Sequence, residues 1–133
     1  MYGDVFLSGA MNENKKLFEK QWLLAEEKAA EFLVERGYTI LERNFRARGG
    51  EIDIIAQKEE FVCFVEVRSR SVSDFGAPEL SVNRKKRANI ERSALQYIAK
   101  KQLKNYVFRF DIISVLGEGM EIRHFPNAFQ SRR

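Results

Sequence analysis

Charged residues occupy two positions in each of two neighbouring segments that otherwise alternate like buried strands. Glu51 and Asp53 stand two residues apart in the first segment, and Glu66 and Arg68 stand two residues apart in the second. Side chains two apart on a strand point to the same face, so the members of each pair should share a face. The second segment is apolar on both faces up to Glu66, which indicates an interior strand where an unpartnered charge is costly. The opposite faces are apolar, with Ile52, Ile54 and Ala56 on the first segment and Cys63, Val65 and Val67 on the second.

Three carboxylates and one guanidinium in one place suit the hydrolysis of a phosphodiester. Clustered carboxylates repel one another, and some stay protonated near neutral pH unless a cation lies among them. Oxygen ligands select a hard ion such as Mg²⁺ or Mn²⁺ rather than zinc. Such an ion polarises a phosphoryl oxygen and generates hydroxide from bound water, and Arg68 could stabilise the charge on a pentavalent phosphate. The alternative is a set of solvated salt bridges across a hairpin, each of small energetic value.

Glu26 is a fourth candidate, on the first predicted helix. The apolar stripe of this helix runs through Trp22, Ala29 and Leu33, with Leu23 at its edge. Glu26 projects on the side that should pack on the sheet, whereas the other glutamates of this region lie on the opposite side. Two interpretations stay open: an edge glutamate whose carboxylate reaches water, or a carboxylate that completes the same site.

The second predicted helix is strongly basic, with eight basic residues and one acidic residue, Glu91, between positions 84 and 104. Four basic residues open this helix, where positive charge opposes the helix dipole. Contact with phosphates is one interpretation of this run, and a solvated helix face is the other. Lys86 lies beside the apolar stripe of the helix and can therefore approach the carboxylates. The candidate nucleic-acid-binding residues are Arg46, Arg48, Arg70, Lys85, Lys86 and Arg87.

The composition of the 133 residues is that of one compact domain. With 44% apolar residues, 11 Phe, 4 Tyr and 1 Trp, the chain can bury a core, which excludes a disordered tail. The net charge of +4 favours a polyanionic partner. The single cysteine, Cys63, forbids an internal disulfide and is expected to pack in the core, and the single histidine, His124, excludes a His-rich zinc site. No apolar run is long enough to span a membrane and no secretion signal is present, so a cytoplasmic protein is expected.

The local pattern predicts the elements that must position these residues. Residues 13–36 predict a helix that Gly37 ends, and Asn83 is the predicted N-cap of a helix that runs to about residue 104. The resulting order, α-β-β-β-α-β-β, predicts an α/β domain on a mixed sheet. Residues 1–12 are expected to form a flexible leader, 13–128 the domain and 129–133 a loose tail. Strands are predicted over 38–43, 51–56, 61–70, 107–116 and 120–124, with an irregular loop over 71–78.

The motifs GEIDIIA at 50–56 and FVEVRSR at 64–70 resemble the D…(D/E)-x-K signature of the restriction-endonuclease-like nuclease superfamily. More closely, the chain resembles the YraN-type family of small bacterial proteins placed in that superfamily. The resemblance implies a restriction-endonuclease-like domain with an α-β-β-β-α-β core, which the local pattern predicts independently. It also extends to other motifs in the same order: AEEKAAEFLVERGYTILERNFR at 25–46, FGAPE at 75–79, RFDIISV at 109–115 and IRHFPNAF at 122–129.

The resemblance implies roles for individual residues. Asp53 and Glu66 would be ligands of Mg²⁺ or Mn²⁺, with the Val67 carbonyl as a third ligand. Glu26 would match the helix-one glutamate of Holliday-junction-resolvase-like members, and Glu51 belongs to the motif without a defined role. The signature lysine is replaced by Arg68, whose guanidinium stays charged and can stabilise a transition state but cannot act as a base.

These observations lead to three hypotheses. The first is a magnesium-dependent endonuclease that hydrolyses phosphodiester bonds in DNA, with branched or single-stranded structures as candidate substrates. The second is a nucleic-acid-binding module whose catalytic site is degenerate, since related folds also serve as binding modules. The third is a protein partner of DNA-processing machinery. A homodimer is a candidate assembly, and no membrane partner is expected.

Overall fold

The computed structural model describes residues 2–70, 82–117 and 121–130, without the side chains of residues 2–12 and 18. The order of the elements is the predicted one, although several boundaries differ. The elements are α1 (Tyr2–Glu35), β1 (Thr39–Ala47), β2 (Gly50–Lys58), β3 (Phe61–Arg70), α2 (Arg84–Lys101), β4 (Val107–Leu116) and β5 (Glu121–Phe129).

The five strands form one mixed sheet in the order β1-β2-β3-β4-β5. The pairs joined by short turns, β1–β2, β2–β3 and β4–β5, are antiparallel, whereas β3 and β4 are parallel. The segment between β3 and β4 includes α2, and a crossover of this length is what a parallel pair requires. The predicted α/β class, the mixed sheet and the interior position of β3 are therefore confirmed.

Local features of the sequence explain where α2 begins and ends and where α1 ends. The Asn83 side chain accepts a hydrogen bond from the backbone N–H of Lys86 at 2.9 Å, which confirms the predicted N-cap of α2. This helix ends at Lys101 rather than near residue 104, with Gln102 in the left-handed conformation. At the end of α1, Gly37 has a φ of +90°, which explains why glycine follows the helix.

The helix α1 begins at Tyr2, well before the predicted start at residue 13. Residues 2–12, expected to belong to a flexible leader, therefore continue the helix. No helix in the described ranges is both long enough and apolar enough to cross a membrane.

The core lies in two layers, one on each face of the sheet. On one face α2 packs through Ile90, Ala94 and Tyr97 on an aromatic cluster that includes Phe64 and Phe110. On the other face α1 packs on a smaller, aliphatic cluster. Its members include Ala25, Ala29, Leu33, Cys63, Val65, Val67 and Ile113.

Two predictions about the positions of individual side chains are wrong. Ile52 packs in the cluster on the α2 side, whereas Ile54 and Ala56 pack on the α1 side, so the expected common face is wrong. Leu23, expected at the edge of the apolar stripe, is 54% exposed and belongs to neither core cluster. Cys63 is fully buried, as expected, and burial raises the pKa of its thiol to about 12.

The last strand is longer than the sequence predicted. It continues to Phe129, which is buried and whose ring stacks on Phe110 with 5.1 Å between the centroids. The expectation of a loose tail from residue 129 is therefore wrong for that residue, because a buried aromatic pair holds it. Residues 131–133 and the predicted loop over 71–78 lie outside the described part of the chain.

Candidate active site

The site begins where β2 and β3 separate. The pairing between these strands ends at Ile54 and Val65, so the next residues on each strand are released from the ladder. The Asp53 side chain lies between the separated strands, and its Oδ2 accepts a hydrogen bond from the backbone N–H of Val67 at 2.7 Å. Asp53 and Glu66 are each only 7% exposed. The divergence of two strands thus places two buried carboxylates at one end of the β2–β3 ladder.

The surroundings of Asp53 disfavour its ionised form. Burial, and after it the charge of Glu66, raises the pKa of Asp53 to about 8, and the Val67 N–H and the Lys86 charge offset this only in part. Asp53 therefore holds its proton at neutral pH in the absence of a further cation. A group with this property is a candidate for function, because the fold maintains an unfavourable charge arrangement there.

Lys86 supplies the cation that contacts Glu66. Its Nζ lies 2.7 Å from Glu66 Oε1, and the side chain is 47% exposed while that of Glu66 is 8% exposed. The N-cap by Asn83 holds the first turn of α2 and with it the position of Lys86. The approach of Lys86 to the carboxylates, expected from its place on the helix, is what the structure shows.

The carboxylates form the floor of a cleft of about 420 Å³ between α1, α2 and the start of β2. This volume is within the range of about 300–1,000 Å³ that is usual for ligand sites. Glu51 also lines the cleft but is exposed, so it lies nearer to solvent than Asp53. The lining comes from α1, β2, β3 and the start of α2 with its N-cap, and it also includes Trp22, Gly50, Asn83, Lys85, Asn89 and Ile90.

The turn between β1 and β2 is fixed against α2, which shapes one side of the cleft. The Gln96 amide accepts from the backbone N–H of Arg48 at 3.2 Å and donates to the Arg48 carbonyl at 3.1 Å. A Cβ on Gly50 would lie 2.7 Å from Ser93 Oγ and 2.9 Å from the Asn89 carbonyl oxygen, so this approach requires glycine. The exposed Arg46 and Arg48 side chains are thereby held on a rigid turn beside α2.

Glu26 is fully buried, so the interpretation as an edge glutamate that reaches water is wrong. Its Oε1 accepts from Arg43 Nε at 3.2 Å and from Asn44 Nδ2 at 2.9 Å. Its Oε2 is buried and has no hydrogen-bond partner among the described residues. Burial raises the pKa of Glu26, and the charge of Glu26 in turn raises the pKa of Asp53. Glu26 therefore belongs to the electrostatic surroundings of Asp53.

We expect Glu26→Gln and Glu26→Ala to differ sharply in stability. Glutamine keeps an acceptor for Arg43 and Asn44 and removes a carboxylate that burial disfavours, so the metal-free protein should melt within about 1 kcal/mol of wild type. Alanine leaves both donors unpaired and opens a cavity, which should cost about 2–4 kcal/mol. Thermal melts of the three proteins with and without Mn²⁺ measure both effects. An equal loss in the two variants would contradict the raised pKa of Glu26.

The other predicted site residues take different places. Lys85 lines the cleft and is exposed. Arg87 turns inward: its Nε donates to the Val82 carbonyl at 3.0 Å, and its guanidinium lies over the Phe129 ring. Arg68 and Arg70 are half-buried on β3 and do not line the cleft. Lys86 thus contacts a carboxylate and Lys85 lines the same cleft, whereas Arg68, Arg70 and Arg87 do not line it.

The residues at the cleft floor fit a hard divalent ion by donor type. Asp53 and Glu66 offer only oxygen, and their mutual repulsion is what a bound cation would relieve. Among the residues that the structure describes, no group of three or more His, Cys, Asp or Glu side chains is arranged to hold a metal. The fit therefore rests on one carboxylate pair and not on a complete ligand set.

A fourth buried carboxylate, Asp111, was not found from the sequence. It is fully buried and contacts Arg109 at 2.8 Å, His124 at 2.8 Å and the Asn127 N–H at 2.9 Å. Although burial alone would raise the pKa of Asp111, these hydrogen bonds hold it below its usual value. Arg109 also donates to the Tyr38 hydroxyl at 2.7 Å. The cluster joins β4, β5 and the segment before β1, and none of these residues lines the cleft.

Comparisons with known proteins agree on one family. The family model described as "Uncharacterised protein family UPF0102" matches residues 25–115. A UPF0102 protein of Trichlorobacter lovleyi is 46% identical over 110 residues, which cover 80% of this chain and 87% of the relative. A UPF0102 protein of Clostridium acetobutylicum is 48% identical over 109 residues, which cover 78% of this chain and 89% of the relative. The matched region contains Glu26, Asp53, Glu66 and Lys86, and this chain therefore belongs to Uncharacterised protein family UPF0102.

Proposed function

We propose that this protein is a nuclease that hydrolyses phosphodiester bonds in nucleic acid, with DNA as the expected substrate and Mg²⁺ or Mn²⁺ as the cofactor. The observation that carries the proposal is the buried Asp53–Glu66 pair, with the pKa of Asp53 raised to about 8 and Lys86 in contact with Glu66. The resemblance to the YraN-type family and the restriction-endonuclease-like superfamily supports it, because the observed α-β-β-β-α-β order is the implied core.

In this proposal Asp53 and Glu66 hold the ion through their carboxylate oxygens, with the Val67 carbonyl as the proposed third ligand. The bound ion would supply Lewis acidity and lower the pKa of a water molecule. The Val67 N–H keeps the Asp53 carboxyl in position through its hydrogen bond at 2.7 Å. The Lys86 ammonium, at the cleft floor, stabilises the negative charge that develops on the phosphate. The replacement of the signature lysine by Arg68 is then offset by Lys86, which comes from α2.

The exposed positive charges beside the cleft supply the contact with the nucleic-acid backbone. Arg84 and Lys85 are exposed on the first turn of α2, and Arg46 and Arg48 are exposed at the turn end of the β1–β2 hairpin. Gln96 joins this turn to α2 about 18 Å along the helix axis from Arg84, so a phosphate backbone that follows α2 would meet both groups. Charge of this kind supplies affinity without sequence preference.

Replacing Arg84 and Lys85 with glutamine should weaken binding to duplex DNA and make it less salt-dependent. Each lost phosphate contact should reduce the slope of log K against log salt by about 0.9. The matched control is the double glutamine variant of Lys100 and Lys101, also exposed on α2 but about 24 Å away along its axis. Binding isotherms at several salt concentrations measure the slopes. Equal slopes in the two double variants would mean that the first turn of α2 is only solvated.

The function itself is tested by cleavage assays with single-stranded, duplex and branched DNA and with RNA. We expect products with Mg²⁺ or Mn²⁺ and none with EDTA. Binding without cleavage under every metal condition would support the alternative, a nucleic-acid-binding module. The contact between Lys86 and Glu66 favours that alternative, since the ammonium already compensates Glu66 without an ion. A cytoplasmic location and a homodimeric assembly remain parts of the proposal.

A further inference from the structure

Trp22 differs from the other described aromatic residues in its surroundings. The remaining aromatic side chains that the structure describes belong to one of the two core clusters, whereas Trp22 belongs to neither. It is half-buried on α1 and lines the cleft above the carboxylates. The ring contacts found among the described residues do not involve its indole. A large aromatic side chain is thus placed at the candidate site and not in the core.

The groups around Trp22 have the chemistry of a site for a single nucleic-acid strand. Lys85 and Lys86 offer positive charge for a phosphate, and Asn83 and Asn89 offer amide groups in the same cleft. Proteins that bind single strands combine a basic groove with aromatic side chains on which bases stack. In a duplex each base is already stacked and paired, so an indole can stack only on a base that is unpaired or turned out of the helix.

The depth of the carboxylates in the cleft also favours a single strand over a duplex. Asp53 and Glu66 are each 7% exposed and lie at the floor of the cleft, whereas Lys85 is exposed at its opening. A phosphate on a regular duplex is held at the duplex surface by its paired neighbours. A flexible single strand can bend into the cleft, with its base on the indole and its phosphate at the floor.

We propose that Trp22 is a specificity-determining residue that stacks on an unpaired base, so that the cleft selects single-stranded segments over duplex. This inference rests on the proposed function for the identity of the ligand as nucleic acid, but it does not require that the protein cleaves it. Stacking on one base is worth about 1–3 kcal/mol, which corresponds to roughly 5- to 150-fold in affinity.

The fluorescence of the protein reports on this contact directly, because Trp22 is the single tryptophan of the chain. The probe is an oligothymidylate of about 12 nucleotides, within the range of single-strand site sizes, and the comparison is the same strand paired with oligoadenylate. Measurements in EDTA keep the strands intact. We expect the single strand to quench the fluorescence with saturation and the duplex to quench it much less.

Variants separate stacking from a structural role of the indole. Trp22→Phe keeps a ring and should bind the labelled oligothymidylate within a few-fold of wild type, whereas Trp22→Ala should bind it roughly 5- to 150-fold more weakly. Leu23→Ala is the matched control, since Leu23 is the exposed neighbour on the same helix. Thermal melts of all three variants show whether folding is kept. If Trp22→Ala is destabilised, the test uses the folded Trp22→Phe variant and wild type. Both should bind the single strand more tightly than the duplex, and an equal affinity for the two would contradict the proposal.

The outcomes for Trp22 and for the proposed function are distinguishable. Quenching by the single strand with no cleavage in any metal would leave the Trp22 assignment standing and remove the nuclease. Cleavage with no quenching, or with the same preference for single strands in Trp22→Ala as in wild type, would overturn the Trp22 assignment and leave the nuclease. Equal quenching by single strand and duplex would also overturn it.

Discussion

The double variant Asp53→Asn, Glu66→Gln should lose both divalent-metal binding and cleavage, with cleavage reduced roughly 1,000-fold or more. Amide oxygens of Asn and Gln keep similar shapes but carry no charge, so a hard cation loses its main attraction. The backbone N–H of Val67 retains an acceptor at position 53, so the fold should persist. Calorimetric titration with Mn²⁺ and a cleavage assay measure the two losses.

The pH dependence of metal binding gives a second readout of the same pair. The ion needs the ionised form of Asp53, whose pKa is raised to about 8, so affinity for Mn²⁺ should rise with pH up to about 8 and then level off. In the metal-free protein, the free energy of unfolding should change with pH in the opposite direction. The folded state holds a proton that the unfolded state has already lost, so stability should fall as pH rises from about 4 to about 8. In the double variant the pH dependence of metal binding should be absent, and the fall in stability should be smaller but still present, because the pKa of Glu26 is also raised.

The matched control is Glu19→Gln, Glu60→Gln, which removes the same number of carboxyl groups from exposed positions. It should bind Mn²⁺ and cleave as wild type does. Unchanged metal binding in the Asp53 and Glu66 double variant would overturn the metal site, whatever the cleavage assay shows. Binding by the chain would then have to use other oxygen ligands.

Lys86→Gln should reduce cleavage about 100-fold while the affinity for Mn²⁺ stays the same or increases. The ammonium of Lys86 contacts Glu66 Oε1 at 2.7 Å, so it competes with a cation for that carboxylate. Its removal should therefore favour metal binding. The loss should appear in the rate of cleavage, because the variant lacks the ammonium that stabilises the negative charge on the phosphate in the transition state.

Two neighbouring substitutions make this result specific. Lys85→Gln, which removes a charge from the exposed rim of the cleft, should weaken DNA binding and change the cleavage rate of bound DNA little. Arg68→Lys, at the signature position, should have a smaller effect than Lys86→Gln because Arg68 does not line the cleft. Single-turnover rates at saturating protein separate the chemical step from binding. Equal rate losses in the Lys85 and Lys86 variants would contradict a direct role of Lys86.

Local sequence determined the order of the elements and the identity of the main candidates. Asn83 predicted the start of α2 because an N-cap depends on its own side chain and the next three residues. The apolar density around Glu66 predicted an interior strand, and the spacing of Lys86 on its helix predicted its approach to the carboxylates. These features are readable from sequence because alternation and helical periodicity are properties of a single element.

The contacts between elements were decided only by the tertiary structure. Strand alternation placed Ile52 and Ile54 on one face, but the pairing of β2 with β3 ends at Ile54, and beyond it the Asp53 side chain binds the Val67 N–H. In the same way, helical periodicity could not decide whether Glu26 reaches water or points into the fold. The docking of α1 against β1 buries it, in contact with Arg43. Where strands diverge and how deeply a helix docks depend on packing between distant segments, and no single segment of the sequence contains that information.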